Sequence, residues 1–317
     1  MEADIDRGAW VDTREAAKHT VGALFARYRT EVSPGKRGGD IEASRLLAFE
    51  RDPVAKLNAT AIQLSHVEAW LARRRAAGVS GSTINRELNL MGHVFSKARK
   101  SWDIHIENPV SDVERPKHAP PRERRVDGDE LEAICAASES LELPIVLRLA
   151  VMTAMRRGEI LGMQWQHVDL QARIVELQMT KNSEKRRVPL SPAAAEIVAS
   201  IPRPLDKHGD PVKSGPIFKS EAHSLSTAMR RARERARARY VAKCADAGVD
   251  ADPHYLVNVR LHDGRHEAAS RLVEGGADQM TTAKILGHKS LVMTMRYFNP
   301  SDEHLVAAMD AAAKKAK

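Results

Sequence analysis

The stretch "RLHDGRHEAASRL" brings His262, Arg265 and His266 within a few residues of one another. On a helix His262 and Arg265 stand at i and i+3 and share a face. Further along, "LGHKSLVMTMRYF" holds His288 and, nine residues on, Tyr297. Earlier, "TAMRRGE" pairs Arg156 with Glu159 at i and i+3, and Lys181 sits on the polar turn "TKNSEK". These residue types have definite uses. A guanidinium is planar, stays charged at any working pH and grips oxyanions with two parallel donors. A phenol has a pKa near 10 and becomes a nucleophile only when its proton is taken or its anion stabilised. Each residue alone also has a plainer reading. Arg156 and Glu159 read as a weak surface salt bridge, Lys181 as a solvated turn lysine, and Tyr297 as a half-buried core aromatic. Metal binding by His262, His266 and His288 is conceivable, since the first two are i and i+4. There is no HExxH, however, and Arg265 between them is a poor neighbour for a cation, so no metal site is expected.

The elements around these residues are mostly helical. Residues 1–18 are polar and read as a loose arm. "TVGALFARYRTEV" places Val21, Leu24, Phe25 and Tyr28 at helical spacing. "IEASRLLAFERD" predicts a second helix. "LSHVEAWLARRRAAG" predicts a third, opened by a capping box of Ser65 and Glu68. "SGSTINRELNLMGHVFSKARKSW" predicts a fourth, with Ile84, Leu88, Met91 and Phe95 on one side. Residues 19–110 therefore read as a small helical domain. The stretch 111–125, rich in proline and charge and without periodicity, reads as an exposed linker. Residues 126–317 open with helices. Alternating runs at Ile174–Gln178 and Arg186–Leu190 then predict a β-hairpin, followed by a basic helix over 224–240 and helices to the end. The fold class is thus mainly α with a small antiparallel β-sheet.

Bulk properties narrow the partners. In 317 residues, 50 Lys and Arg against 42 acids give a net charge of +8 and a pI near 9.5. Such a surface favours polyanions, of which nucleic acid is the commonest large one, although composition alone fits a basic protein with no polyanion partner equally well. The two cysteines, Cys135 and Cys244, are far apart, which excludes a disulfide scaffold and a cysteine zinc site. The acidic N-terminus lacks the basic and apolar regions of a signal peptide, and no run of 18 apolar residues occurs. A cytoplasmic, nucleoid-associated protein without membrane contact is expected.

Taken together and in this order, the motifs resemble those of the tyrosine recombinases, the phage integrase family, over residues 20–310. "TAMRRGE" resembles the family's first arginine box and "LHDGRH" its His-x-x-Arg box. "LGHKSLVMTMRYF" resembles its His/Trp position followed by the nucleophilic tyrosine, and Lys181 falls on the hairpin turn where the family has a further catalytic group. The resemblance implies a helical core-binding domain joined to a mixed α/β catalytic domain. It implies that Tyr297 attacks a DNA phosphodiester and becomes joined to the 3′ phosphate. Arg156, Arg265 and His288 would hold the phosphate oxygens, and Lys181 would protonate the departing 5′ oxygen. His262 would assist proton transfer or orient the phosphate, and Glu159 would steer Arg156. The chemistry agrees. Phosphoryl transfer spreads negative charge over equatorial oxygens, and losing one preorganised donor typically lowers the rate about 10²–10³-fold. A phosphotyrosine conserves the bond energy, so no cofactor is expected.

Three residues depart from the family pattern. Ala154 stands where Gly is usual, Gly264 where a bulky apolar residue is usual, and Glu267 where a small hydroxyl residue is usual. Gly264 is expected to remove a packing anchor beneath His262 and Arg265. Glu267 is expected either to put a carboxylate near Arg265 or to act as an ordinary acid in a helix first turn. On DNA, the polar side of helix 82–100 (Arg86, Lys97, Arg99, Lys100) is the expected major-groove contact. Arg230 and Arg231 on the basic helix are the expected backbone contact, although that helix reads equally well as a solvated one. The expected partners are double-stranded recombination sites, a homotetramer on DNA docked through the alanine-rich tail "HLVAAMDAAAKKAK", and an accessory DNA-bending or directionality factor. Residues 1–18 are too short for the arm-site module that many phage integrases carry and read as the end of one. The leading reading is a recombinase that integrates or excises a mobile element. The others are a resolvase of replicon dimers, a binder that no longer cuts, and a DNA-relaxing topoisomerase.

Overall fold

A computed structural model of the chain describes residues 13–120, 122, 124–178, 185–298, 306 and 309. Lys181 and its turn, the first twelve residues of the arm, and most of the tail lie outside the described residues. The chain divides into two compact units, residues 1–121 and 122–317.

The first unit is helical: α1 (Arg14–Ala17), α2 (Val21–Glu31), α3 (Gly39–Glu50), α4 (Leu64–Ala76) and α5 (Gly81–Ser101). Thr20 caps α2 by accepting the Ala23 N–H at 3.1 Å, and Ser80 opens α5 by accepting the Thr83 N–H at 3.4 Å. The apolar stripes read from the sequence form the core. Val21, Leu24, Phe25 and Tyr28 of α2 and Ile84, Leu88, Met91 and Phe95 of α5 are all buried. Phe25 meets Phe49 and Phe95, and Phe49 meets Trp70 edge-on. The expected Ser65/Glu68 capping box does not form. Helix α4 begins at Leu64, because the His66 imidazole accepts the Gln63 N–H at 3.1 Å and starts the helix earlier. Arg74 clamps the buried Glu87 through two hydrogen bonds of 2.9 and 2.6 Å, joining α4 to α5. On the opposite face of α5, Arg86, Arg99 and Lys100 are exposed and Lys97 is half-buried.

The second unit begins with α6 (Gly128–Ala136), α7 (Glu142–Thr153) and α8 (Arg157–Leu161). A three-stranded antiparallel sheet follows, β1 (Val168–Asp169), β2 (Ile174–Leu177) and β3 (Arg186–Pro189), in that order. Val175 pairs with Val188 and Leu177 with Arg186. The hairpin stands where the alternation put it; β1, two residues long, is too short for any periodicity to show. Then come α9 (Pro192–Ser200), α10 (Ala222–Asp246), α11 (Leu261–Glu274), α12 (Gln279–Leu286) and α13 (Val292–Met295). Helix α7 is apolar on most sides because it is central, burying Leu143, Val146, Leu147, Leu149, Ala150 and Val151. Basic α10 reaches the core only through a narrow stripe of Leu225, Met229, Ala232 and Ala236. Arg230 and Arg231 on its outer side are exposed, and Arg230 pairs with Glu234 at 2.9 Å.

Two of the departures noted in the sequence have structural explanations. Gly264 lies where α11 crosses α7, and a Cβ there would stand 3.1 Å from Val151 Cγ2 and 3.5 Å from Ala150 Cβ. The missing side chain lets the two helices approach closely; the anchor is the backbone contact itself. Ala154 ends α7 in the left-handed region, at φ 56° and ψ 14°, a conformation that strains any residue with a Cβ. Its methyl packs in a small buried cluster with Ala268, Ala269 and Leu286, against which Tyr297 rests.

Candidate active site

Helix α12 organises the site with its C-terminal end. The last carbonyls of a helix have no partner within it and attract cations. Here the carbonyls of Ile285, Leu286 and Gly287 each accept from a different guanidinium, those of Arg186, Arg265 and Arg156 respectively. The Arg265 bond measures 2.5 Å and the Arg156 bond 3.4 Å. Gly287 makes this possible. It adopts φ 62°, and a Cβ would stand 2.8 Å from the Arg186 guanidinium. The "LGH" motif is thus a left-handed cap that turns the chain toward His288 and leaves room for an arginine.

Glu159 binds two of these arginines. Its carboxylate accepts the backbone N–H of Arg156 at 2.8 Å, the side chain of Arg156 at 2.8 Å, and the side chain of Arg186 at 2.6 Å. Burial pushes this carboxyl up, but the charge of Arg186 and the bonds from Arg156 outweigh it and hold the pKa below 4.5. Arg186 comes from β3, so the carboxylate also ties the hairpin to the first arginine box. Arg265 reaches the same place from α11. It is 3% exposed and also donates to the carbonyl of the strained Ala154. Burial and neighbouring Arg156 press its pKa down without discharging it. Three cations around one carboxylate leave an excess positive charge, a setting that suits a phosphate.

Two histidines stand beside this cluster. The Nδ1 atom of His288 lies 2.8 Å from the Thr294 hydroxyl. Burial and the charges of Arg265 and Arg156 push its pKa down to about 4, so the ring is neutral near pH 7. In the tautomer in which Thr294 donates to Nδ1, the other nitrogen is a hydrogen-bond donor. His262 is exposed at the rim. The protein packed around it and the Arg265 guanidinium lower its pKa from 6.5. Tyr297 follows α13 and is half-buried. Burial raises its pKa above 10, against the lowering pull of Arg296 and Arg265. Its hydroxyl bonds neither His262 nor an arginine but His266, 2.7 Å from Nδ1.

The segment leading into α6 is pinned beneath the site. Arg122 forms two bonds to buried Asp263, at 2.8 and 2.7 Å. Arg125 bonds Glu267 at 2.8 Å and also pairs with Glu274. Arg296, next to Tyr297, donates to the Arg122 carbonyl at 2.7 Å. Glu267 therefore does not put its charge on Arg265. It is 5% exposed and is neutralised by Arg125 and, at 2.7 Å, by Arg271.

Of the residues expected from sequence, Arg156, Arg265, His262, His288, Glu159 and Tyr297 gather in one place. Lys181 lies outside the described residues. Among the described residues no group of three or more His, Cys, Asp or Glu side chains is arranged to hold a metal ion. Sequence reasoning missed Arg186, Thr294 and the contact made by His266. The signal for Arg186 was its place at an inward register of β3, two residues from buried Val188, where a charge needs a partner.

Comparisons with known proteins bear on the family and the fold. The family model described as "Phage integrase family" matches residues 124–304. A shufflon-specific DNA recombinase of Escherichia coli is 30% identical over 308 residues, covering 94% of this chain and 73% of the relative. The Tn1549 transposon integrase, solved in complex with a circular intermediate DNA, superposes with a TM-score of 0.69 at 17% identity, covering 92% of this chain and 99% of that one. A lambda integrase tetramer bound to a Holliday junction superposes with a TM-score of 0.65 at 18% identity, covering 95% and 86%. With the family model over more than half its length and the guanidinium cluster in place beside a tyrosine, the chain belongs to the phage integrase family, the tyrosine-type site-specific DNA recombinases.

Proposed function

We propose that Tyr297 is the nucleophile of this recombinase and that the chain integrates or excises a mobile element. The observation that carries the reading is the convergence of Arg156 and Arg265 on the adjacent carbonyls of Gly287 and Leu286, with Tyr297 packed against the buried cluster to which Leu286 belongs. A DNA phosphodiester held by the two guanidiniums and by the His288 ring is attacked by the Tyr297 oxygen. The bond to phosphorus forms as the bond to the 5′ oxygen breaks, leaving a 3′-phosphotyrosine. Lys181 is the expected acid for that 5′ oxygen, and His262 at the rim orients the phosphate. The reverse attack by a 5′ hydroxyl reseals the strand without an external energy source.

The helical first unit acts as the core-binding domain and the second as the catalytic domain. Arg86, Lys97, Arg99 and Lys100 of α5 read the major groove, and Arg230 and Arg231 of α10 grip the backbone. Four protomers assemble on two recombination sites, as the lambda integrase tetramer does on its junction, and an accessory DNA-bending factor sets direction. The protein works at the nucleoid.

A nicked suicide duplex carrying the recombination site tests the reading. The wild-type protein is expected to form a covalent adduct that maps to Tyr297, and Tyr297→Phe to abolish it while DNA binding persists. Absence of a wild-type adduct on that site leaves a DNA-binding protein that has lost strand cleavage.

A further inference from the structure

We infer that His266 is a catalytic residue: it takes the Tyr297 proton during strand cleavage and returns it during rejoining. The inference rests on Tyr297 being the nucleophile and adds the fate of its proton. The phenol oxygen lies 2.7 Å from His266 Nδ1, a normal distance for a hydrogen bond between a hydroxyl and a neutral imidazole. The rings are 5.9 Å apart between centroids and tilted by 43°. His262 stands edge-on behind His266, 5.0 Å between ring centres, and itself bonds no phenol.

At rest His266 is free to accept a proton, and the transfer itself waits on the charge of the bound phosphate. Burial, then the charges of Arg296 and His262, push the His266 pKa down to about 4. Burial keeps the phenol protonated. In the tautomer that carries its own proton on Nε2, the neutral imidazole accepts the phenol's hydrogen bond at Nδ1. The charged and titratable groups facing His266 are Arg296 and Tyr297 from the segment after α13, and His262, Asp263 and Arg265 from its own helix. Asp263 is already neutralised by Arg122 from the lead-in segment. Two nearby guanidiniums make the resting imidazolium unfavourable; a bound phosphodiester supplies the negative charge that offsets them.

The step balances. As the Tyr297 oxygen bonds to phosphorus, its proton passes to His266 Nδ1, giving an imidazolium. The 5′ oxygen leaves and is protonated by the acid on the other side of the phosphate. On rejoining, the 5′ hydroxyl attacks, and His266 gives its proton back to the departing phenolate. A base that already exists at pH 7 and touches the nucleophile avoids waiting for hydroxide.

The test compares the wild type with His266→Phe, which preserves ring volume, and His266→Ala with and without added imidazole, on the nicked suicide duplex across pH 6 to 10. Wild-type adduct formation on Tyr297 is expected to be nearly flat with pH over this range. His266→Phe is expected to be slower by roughly a hundredfold at pH 7 and to recover as pH rises. Imidazole is expected to restore part of the His266→Ala rate. An adduct mapping to Tyr297 with a His266→Phe rate and pH profile like the wild type overturns the role of His266 and leaves the nucleophile standing. An adduct on another residue overturns both. Nitrogen NMR of the DNA-free wild type guards against misfolded variants. His266 Nδ1 is expected to be unprotonated and to shift on Tyr297→Phe. A proton found on Nδ1 at rest refutes the inference.

Discussion

Replacing Glu159 with Gln removes one negative charge from between two guanidiniums and leaves the shape almost unchanged. The Glu159 side chain is 7% exposed, that of Arg186 11% and that of Arg156 25%. Breaking a buried ion pair from one side costs about 3–5 kcal/mol, because the abandoned charge stays buried. Arg186 meets that condition; Arg156 is partly hydrated, and Gln keeps one acceptor for the Arg156 N–H. A destabilisation of about 3 kcal/mol is therefore expected, measured by urea unfolding at pH 7. The pH dependence is a sharper check. The carboxyl is held below its ordinary 4.5 in the folded chain. Its contribution is thus present above the unfolded value and lost as pH falls through the lower folded one. The gap between wild type and variant should be full near neutrality and should shrink as pH falls below the ordinary 4.5. With its brace gone Arg156 keeps its charge but loses its aim, and adduct formation is expected to fall about tenfold, short of the loss of a whole donor. A gap under about 1 kcal/mol, the size of an exposed pair, or one that persists unchanged to pH 3, would refute the reasoning.

Two further outcomes follow from the same geometry. Gly264→Leu forces a side chain against Val151 and Ala150; it is expected to cost about 1–3 kcal/mol and to reduce adduct formation by spreading α7 from α11. Val151→Ala in the same chain should restore part of both, and a Leu variant as stable as the wild type would show that the crossing is not tight. Strand cleavage is expected to continue in excess EDTA, since the arginines supply the positive charge; its loss there would revive a metal role for the histidines.

How much was legible in the sequence depended on whether a residue's partner lay nearby along the chain. The helix stripes of α2 and α5 and the β2–β3 hairpin were readable because periodicity is local. Arg156, His262, Arg265, His288 and Tyr297 were readable because their motifs are short. The three adjacent carbonyls at the end of α12 were not, since they collect side chains from the start of α8, from β3 and from α11. The sequence offers no rule for which nitrogen meets which oxygen. His266 was weighed only as a metal ligand, because its contact with Tyr297 spans 31 residues. Glu267 was misplaced for the same reason: its partner Arg125 is 142 residues away. Gly264 was read as a loss, although close helix crossings favour residues without side chains.

The arginines at 122 and 125 bear on how the second unit is cut out for separate study. A fragment starting at residue 126 would keep every helix of the unit. It would also strip Asp263, 1% exposed, of its counter-ion, leave Glu267 with Arg271 alone, and free Arg296 from its tether beside the nucleophile. Such a truncation would look intact on a secondary-structure diagram yet withstand heat poorly, so the safe starting point for an excised unit is upstream of Arg122.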